Sequence, residues 1–119
     1  MAAKKVHSEC LETVQPVRDA LEVLSGKWKL VVIISIGAGN DRFTDIQESI
    51  PGITPKVLAK ELKELEQHQL IKRIITEGYP VKISYVLEEY ASTLKPIIYA
   101  LKEWGLSRRR YSSSHVAQS

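Results

Sequence analysis

The sequence is poor in the residues that build special chemistry. Among its 119 residues there is one cysteine, Cys10, one methionine and one phenylalanine. A single cysteine excludes an internal disulfide framework and a zinc site built on thiolates. The three histidines, His7, His68 and His115, are scattered. Only Glu64 and His68 share a helical spacing that suits a metal, and with no third ligand a solvated pair is the expected reading. Gly37-Ala38-Gly39 lacks the remaining glycine and the strand-to-helix context of a phosphate loop. No G-x-S-x-G nucleophile motif occurs. The residues therefore point away from an enzyme, with no catalytic group, no cofactor and no metal expected.

Long apolar runs are missing as well. The longest, Leu30 to Ile34, falls far short of the ~20 residues a membrane helix needs. Met1 to Glu12 has no apolar signal core. No membrane partner is expected, and the expected compartment is a reducing cytoplasm. Charge of one sign is scarce too. Lys plus Arg is 17 and Asp plus Glu is 14, for a net charge of +3. That mild excess permits a nucleic-acid partner without demanding one. At 44% hydrophobic and 26% charged residues, what remains is ordinary globular material sized for one domain.

Residues 1–14 mix charge with small side chains and read as an N-terminal arm, either irregular or part helical. Pro16 suits the first turn of a helix. Val17, Ala20, Leu21 and Leu24 then follow a helical period up to the stop at Ser25-Gly26. Lys27 to Ile36 is rich in β-branched residues and fits either a buried strand or a buried helix; helix is chosen, partly on the resemblance below. Thr44-Asp45-Ile46-Gln47 has the form of a capping box. Thr54-Pro55 supplies an N-cap and a proline at the first helical position. Ile71 to Thr76 and Val81 to Leu87 flank the turn cluster Glu77-Gly78-Tyr79-Pro80, as strands of a hairpin do. Pro96 opens a last helix carrying Ile97, Ile98, Leu101 and Trp104. Residues 107–119, with three arginines and five serines, read as a flexible C-terminal tail. The domain between is residues 15–106.

Two short helices joined by Ile50-Pro51-Gly52-Ile53, followed at once by a hairpin, form a winged helix-turn-helix pattern. The fold class is mainly α with a small β-hairpin wing. Helical arithmetic sharpens the second helix: with Lys56 at zero, Lys60 lies near +40° and Lys63 near −20° at ~100° per residue. Gln67 shares this face, one to two turns further in. Leu58, Leu62 and Leu65 lie opposite. Lysines suit phosphates, and Thr54 sits at a helix N-terminus whose free N–H groups favour one. Arg42 and Lys82 add positive positions beside the short helix and the hairpin tip. The same Lys face opposite a Leu stripe is what any solvated amphipathic helix shows. Glu61, Glu64 and Glu66 on its flanks keep a second reading open, a winged-helix module that binds protein or RNA.

Several segments, in order, resemble the HxlR family of bacterial winged-helix transcriptional regulators. They are Gly26-Lys27-Trp28-Lys29-Leu30, Arg42-Phe43-Thr44-Asp45-Ile46, and Ile50 to Leu58. Leu62 to Glu66, Leu70 to Arg73, Tyr85-Val86-Leu87 and Trp104-Gly105 extend the likeness across roughly residues 15 to 105. The resemblance implies a MarR-like winged helix and a homodimer closed by the first and last helices. Its partner would be a double-stranded DNA operator, with an unknown small-molecule effector also conceivable in a cleft between the dimer helices and the winged domain. On that likeness Thr54, Lys56, Lys60 and Lys63 face the major groove. Tyr79 and Lys82 touch the neighbouring backbone or minor groove, and Arg42 holds a phosphate. Val17, Leu21, Ile97, Leu101 and Trp104 form the dimer seam, although their apolarity alone would equally suit an intramolecular core. The sequence departs from the family at three places. Gln15 stands where many members carry a cysteine before the proline, which leaves Cys10 as the one possible redox residue. Gln69 replaces a frequent glycine, and Leu87-Glu88-Glu89-Tyr90-Ala91 replaces Leu-Thr-x-x-Gly.

Overall fold

A computed structural model describes residues 7–118, with side-chain surroundings for 10–114. The elements run α1 (His7–Val23), α2 (Lys29–Gly37), α3 (Phe43–Ser49), α4 (Pro55–Gln67), β1 (Ile71–Thr76), β2 (Lys82–Leu87), a 3₁₀ turn (Glu89–Leu94) and α5 (Lys95–Gln118). The architecture is the expected winged helix, mostly helical with one antiparallel hairpin.

The ambiguous apolar run is a helix, and its burial shows why. Val32, Ile33 and Ile36 are buried, while Val31 and Ile34 are exposed. That spacing is helical and incompatible with strand alternation. The buried side of α2 meets Ile46 and Ile50 of the α3 region, Leu58, Leu62 and Leu65 of α4, and Leu70 and Ile71, in one core. Ala91 and Leu94 of the 3₁₀ turn close it. A serine pair ties α2 to α3, the Ser35 and Ser49 hydroxyls lying 2.5 Å apart with Asn40 donating to both Ser35 oxygens.

The turn between α3 and α4 depends on Gly52, whose φ of +85° favours glycine. Thr54 caps α4 as expected, its hydroxyl accepting from the Val57 N–H at 3.2 Å, with Pro55 at the first helical position. At the other end Leu70 N–H donates to Leu65 O and Gln69 N–H to Glu66 O, both at 3.0 Å. This is a Schellman closure. Gln69 sits in its left-handed position at φ 61°. The helix therefore ends where the family's glycine would end it, with a side chain in a conformation glycine adopts more cheaply.

In the wing, Ile71 pairs with Leu87 and Thr76 with Lys82. The Tyr85 N–H donates to Asp41 O at 2.8 Å, docking the loop before α3 onto β2.

Three expectations need correction. The capping box does not form: α3 begins at Phe43, Arg42 holds the extended N-cap backbone, and no side chain caps it. The Asp41–Tyr85 bond holds the chain extended up to Arg42, so the helix starts two residues earlier than Thr44 would allow as a cap, with Asp45 in its first turn. Pro16 does not open the first helix but lies inside it, because residues 7–14 take the helical alternative left open for the arm. Cys10 and Val14 continue the row of Val17 and Leu21 at helical spacing, a signal that the weight given to proline obscured. Residues 107–118 of the supposed tail are helical too, as the last turns of α5. The serines suggested fraying, but Tyr111 keeps the phase of Trp104, and the Arg108 guanidinium lies over its ring at 5.5 Å from the centroid.

Candidate nucleic-acid interface

α4 is held by its leucines. Leu58 and Leu65 are fully buried and Leu62 is 2% exposed, which fixes the opposite side of the helix outward. Lys56, Lys60, Lys63 and Gln67 are all exposed on that side. Thr54 is exposed at its N-terminus with its hydroxyl already engaged in the cap. The structure thus brings Thr54 and the three lysines onto one accessible helix.

The glutamates that argued against a nucleic-acid face divide. Glu61 is 5% exposed and turned inward, where it meets Lys29, itself 5% exposed, at 3.3 Å. Glu64 accepts from the same Lys29 ammonium at 2.7 Å. Burial alone would lower the Lys29 pKa, but the bonds from Glu64 and Glu61 outweigh it and hold the amine above its usual value of 10.5. The Lys29 hydrogen bond holds Glu64 below the ordinary 4.5, with the charges of Lys29, Lys60 and His68 adding to it. Glu66 alone of the three stays fully outside. The effective charge of the outer face is therefore more positive than the sequence of α4 suggests.

Between α4 and the wing lies a cleft of about 290 Å³, lined among others by Phe43, Lys63, Glu66, Arg73 and Tyr85. Arg73 was not among the residues expected in the site. Its signal was present: Ile71 is buried, so strand alternation puts Arg73 on the same side of β1, opposite Tyr85 in the register. Tyr79 is fully exposed at the wing tip, and Lys82 is exposed in the last pair before it. Arg42 is half-buried at the start of α3, apart from the helix face.

The five seam residues are all exposed: Val17, Leu21, Ile97, Leu101 and, at 68%, Trp104. None belongs to the core of its own chain, to which α5 contributes Ile98. Cys10 is exposed on α1. A second groove, about 380 Å³ and mainly apolar, lies between α2, the end of β2 and the start of α5, lined by Ile33, Gly37, Leu87, Ala91, Lys95 and Ile98 among others. Among the described residues, no helix is long and apolar enough to cross a membrane.

The HxlR-like helix-turn-helix family matches residues 23–113. The HTH-type transcriptional regulator YybR of Bacillus subtilis is 36% identical over 100 residues, covering 84% of this chain and 80% of that protein. A Methanothermobacter thermautotrophicus HTH-type regulator is 38% identical over 86 residues, 72% of this chain and 66% of that one. Among solved structures, the redox regulator HypR in its reduced form superposes with a TM-score of 0.76 at 36% identity, covering 83% of this chain and 98% of that one. The reduced form of YodB from B. subtilis gives 0.65 at 34% identity, covering 73% and 85%. The chain belongs to the HxlR-like helix-turn-helix family and is a DNA-binding transcriptional regulator of that type.

Proposed function

We propose that the chain works in the cytoplasm as a homodimer, without catalytic activity, placing two α4 helices in successive major grooves of a partly palindromic operator. The observation that carries this reading is the pairing of two surfaces on one small chain. One is the lysine face of α4. The other is the exposed apolar row formed by Val17 and Leu21 on α1 with Ile97, Leu101 and Trp104 on α5. An isolated domain has little reason to leave a tryptophan and four aliphatic side chains in water. A two-fold seam would cover them and set the half-sites about one DNA turn apart, roughly 34 Å.

In this reading Lys56, Lys60 and Lys63 approach phosphates and base edges of the major groove, with Thr54 at the helix N-terminus against the backbone. Tyr79 and Lys82 reach the flanking backbone or minor groove from the wing, and Arg42 holds a phosphate beside α3. Arg73 joins them, because it lines the cleft between α4 and the wing. An effector, if one acts, has the groove between α2 and α5 open to it, where it could change the separation of the two α4 helices. Any thiol response runs through Cys10, the one cysteine of the sequence. HypR is titled a redox regulator, and a quinone-bound YodB structure is known. Cys10→Ser should abolish whatever sensitivity to diamide the DNA complex shows; a response that persists in the serine variant rules the thiol out.

The deciding experiment is a gel shift on the DNA upstream of the chain's own gene, at two salt concentrations, with random competitor. Binding should survive the competitor and fall steeply with salt. Lys60→Ala should weaken all duplexes alike and lower the salt slope by about 0.9 for each copy in the complex. A salt-insensitive interaction would instead favour a protein-binding module.

A further inference from the structure

The Lys29–Glu61–Glu64 cluster is the one buried charged group of the described residues that DNA contact does not use, and it joins two elements with different tasks. Lys29 opens α2 in the core, while Glu61 and Glu64 belong to the reading helix. Its ammonium lies 3.3 Å from Glu61 and 2.7 Å from Glu64. The two carboxylates stand three residues apart on α4, which separates them by about 4.5 Å along the axis and about 60° around it. A single cation between them therefore fixes two coordinates at once, the slide of the helix and its rotation. The buried leucines already set which side of α4 faces outward; the cluster adds a finer, directional hold. An apolar stripe tolerates small rotations because its contacts are non-directional, whereas charged hydrogen bonds weaken steeply with angle. The neighbouring Trp28 adds a second hold, since its ring lies about 4.0 Å from where a side chain at Gly52 would stand, against the turn that leads into α4.

Stability is a poor reason for such a cluster. Burying charge costs solvation, and an apolar replacement of the same volume is often no less stable. Orientation is a better one. Rotating α4 by one residue's worth, about 100°, would carry Lys56, Lys60 and Lys63 off the groove. A much smaller rotation would misalign a side chain against a base edge while leaving phosphate attraction intact.

We propose that Lys29 is a positioning residue for sequence recognition: through Glu61 and Glu64 it sets the rotation of α4, and so decides which base edges the outer face reads. This rests on the reading of α4 as the DNA-reading helix. Loss of the cluster should lower discrimination between sequences more than it lowers affinity for DNA as such.

The test uses the full-length protein and two duplexes of equal length, one selected by the wild type from a random library and one scrambled. Lys29→Met alone strands a buried carboxylate, so the principal variant is Lys29→Met/Glu61→Gln/Glu64→Gln, which removes all three charges at near-constant volume. It should hold the scrambled duplex within about twofold of the wild type and lose tenfold or more on the selected one. Lys29→Arg should recover most of that loss. Glu64→Gln, whose side chain is one-third exposed, tests the same point without disturbing the core. A purely electrostatic role for Glu64 would raise both affinities together; a positioning role lowers their ratio, here twofold to fivefold. An unchanged ratio in Glu64→Gln, or parallel loss on both duplexes in the triple variant, overturns the proposal. If the wild type itself selects no sequence, the DNA-reading assignment of α4 fails instead, which keeps the two failures apart.

Discussion

Between Lys29 and Leu94, the large aliphatic side chains of the reading domain mostly cover one another. Ile46, Leu58 and Leu65 are wholly out of water, and the turn into α4 has its glycine and its threonine cap. In α1 and α5 the arrangement is reversed. Val14, Val17 and Leu21 stand exposed on one helix, Ile97, Leu101 and Trp104 on the other, and α1 carries a proline in its interior. The dimensions carry the same contrast: the radius of gyration is 18.5 Å, against about 13.5 Å expected for a compact chain of this length. The first region buries most of its large aliphatics, leaving Val31 and Ile34 of α2 and Ile74, Ile75, Val81 and Ile83 of the wing at its surface. The other two helices project from it with apolar rows that only another surface can bury. In the proposed homodimer, such a division would keep the reading surface rigid while the spacing of its two copies is set by the contact between them.

The contrast breaks most sharply if the two kinds of apolar residue are truncated side by side. Leu62→Ala, in the reading domain, should cost about 2–5 kcal/mol of folding stability. Against the 5–15 kcal/mol of a typical domain that is a large fraction. Trp104→Ala should leave the protomer folded and instead weaken self-association about thirtyfold or more, since a buried interfacial tryptophan is commonly worth at least ~2 kcal/mol. Circular dichroism melts read the first effect and sedimentation equilibrium the second. Trp104→Ala that unfolds the protomer, or that stays dimeric, would mean that α5 serves the core or nothing, and the division between the regions would fall.

How much of this the sequence carried follows the same division. The reading domain was legible because its signals are local: Thr54-Pro55 marks a helix start, Pro51-Gly52 a turn, and the leucines of α4 a face. The ends of α1 and α5 were not. Pro16 and the serines after Ser107 are local signals too, but there they point the wrong way, because helix phase over long distances outweighs them. The ion cluster was hidden for another reason. Glu61 and Glu64 look like surface flanks until α2, 32 residues away in sequence, brings Lys29 beneath them. Nothing in the spacing of α4 alone separates Glu64, drawn under by Lys29, from Glu66, left outside at the mirrored position.

A smaller test concerns the end of the reading helix, where the reading domain is not fully optimised. Gln69 occupies a left-handed conformation that costs a side-chain-bearing residue about 1–2 kcal/mol. Glycine would remove that strain but return ~0.5–1 kcal/mol to the unfolded chain as entropy. Gln69→Gly should therefore raise stability by about 0.5–1 kcal/mol, read as a shift of the urea midpoint with an unchanged slope. A loss of stability would mean that the Gln69 side chain contributes contacts that outweigh its backbone strain.

The smallest expected effect is the pH dependence of the cluster that joins α2 to α4. Glu64 is held below its ordinary 4.5 by the Lys29 hydrogen bond, so its ionised form favours the folded state. Its contribution is present above the unfolded value and is lost as pH falls through the folded one. Lys29 runs the other way. Its pKa is raised above 10.5, so its contribution is complete below that value and is lost as pH climbs through the folded one. Between these limits the cluster is intact, with Glu61, Lys60 and His68 as the titratable groups around it. Because the Glu64 side chain is one-third exposed, water screens its share and the effect is modest. Urea midpoints taken at one protein concentration from pH 7 down to about pH 3 should fall less steeply for Glu64→Gln than for the wild type. The variant should also lose its alkaline stability at a lower pH, because Lys29 then has one carboxylate instead of two. Equal acid limbs in the two proteins would mean that Glu64 is not engaged by Lys29 in solution, which leaves Glu61 and the leucines to aim α4.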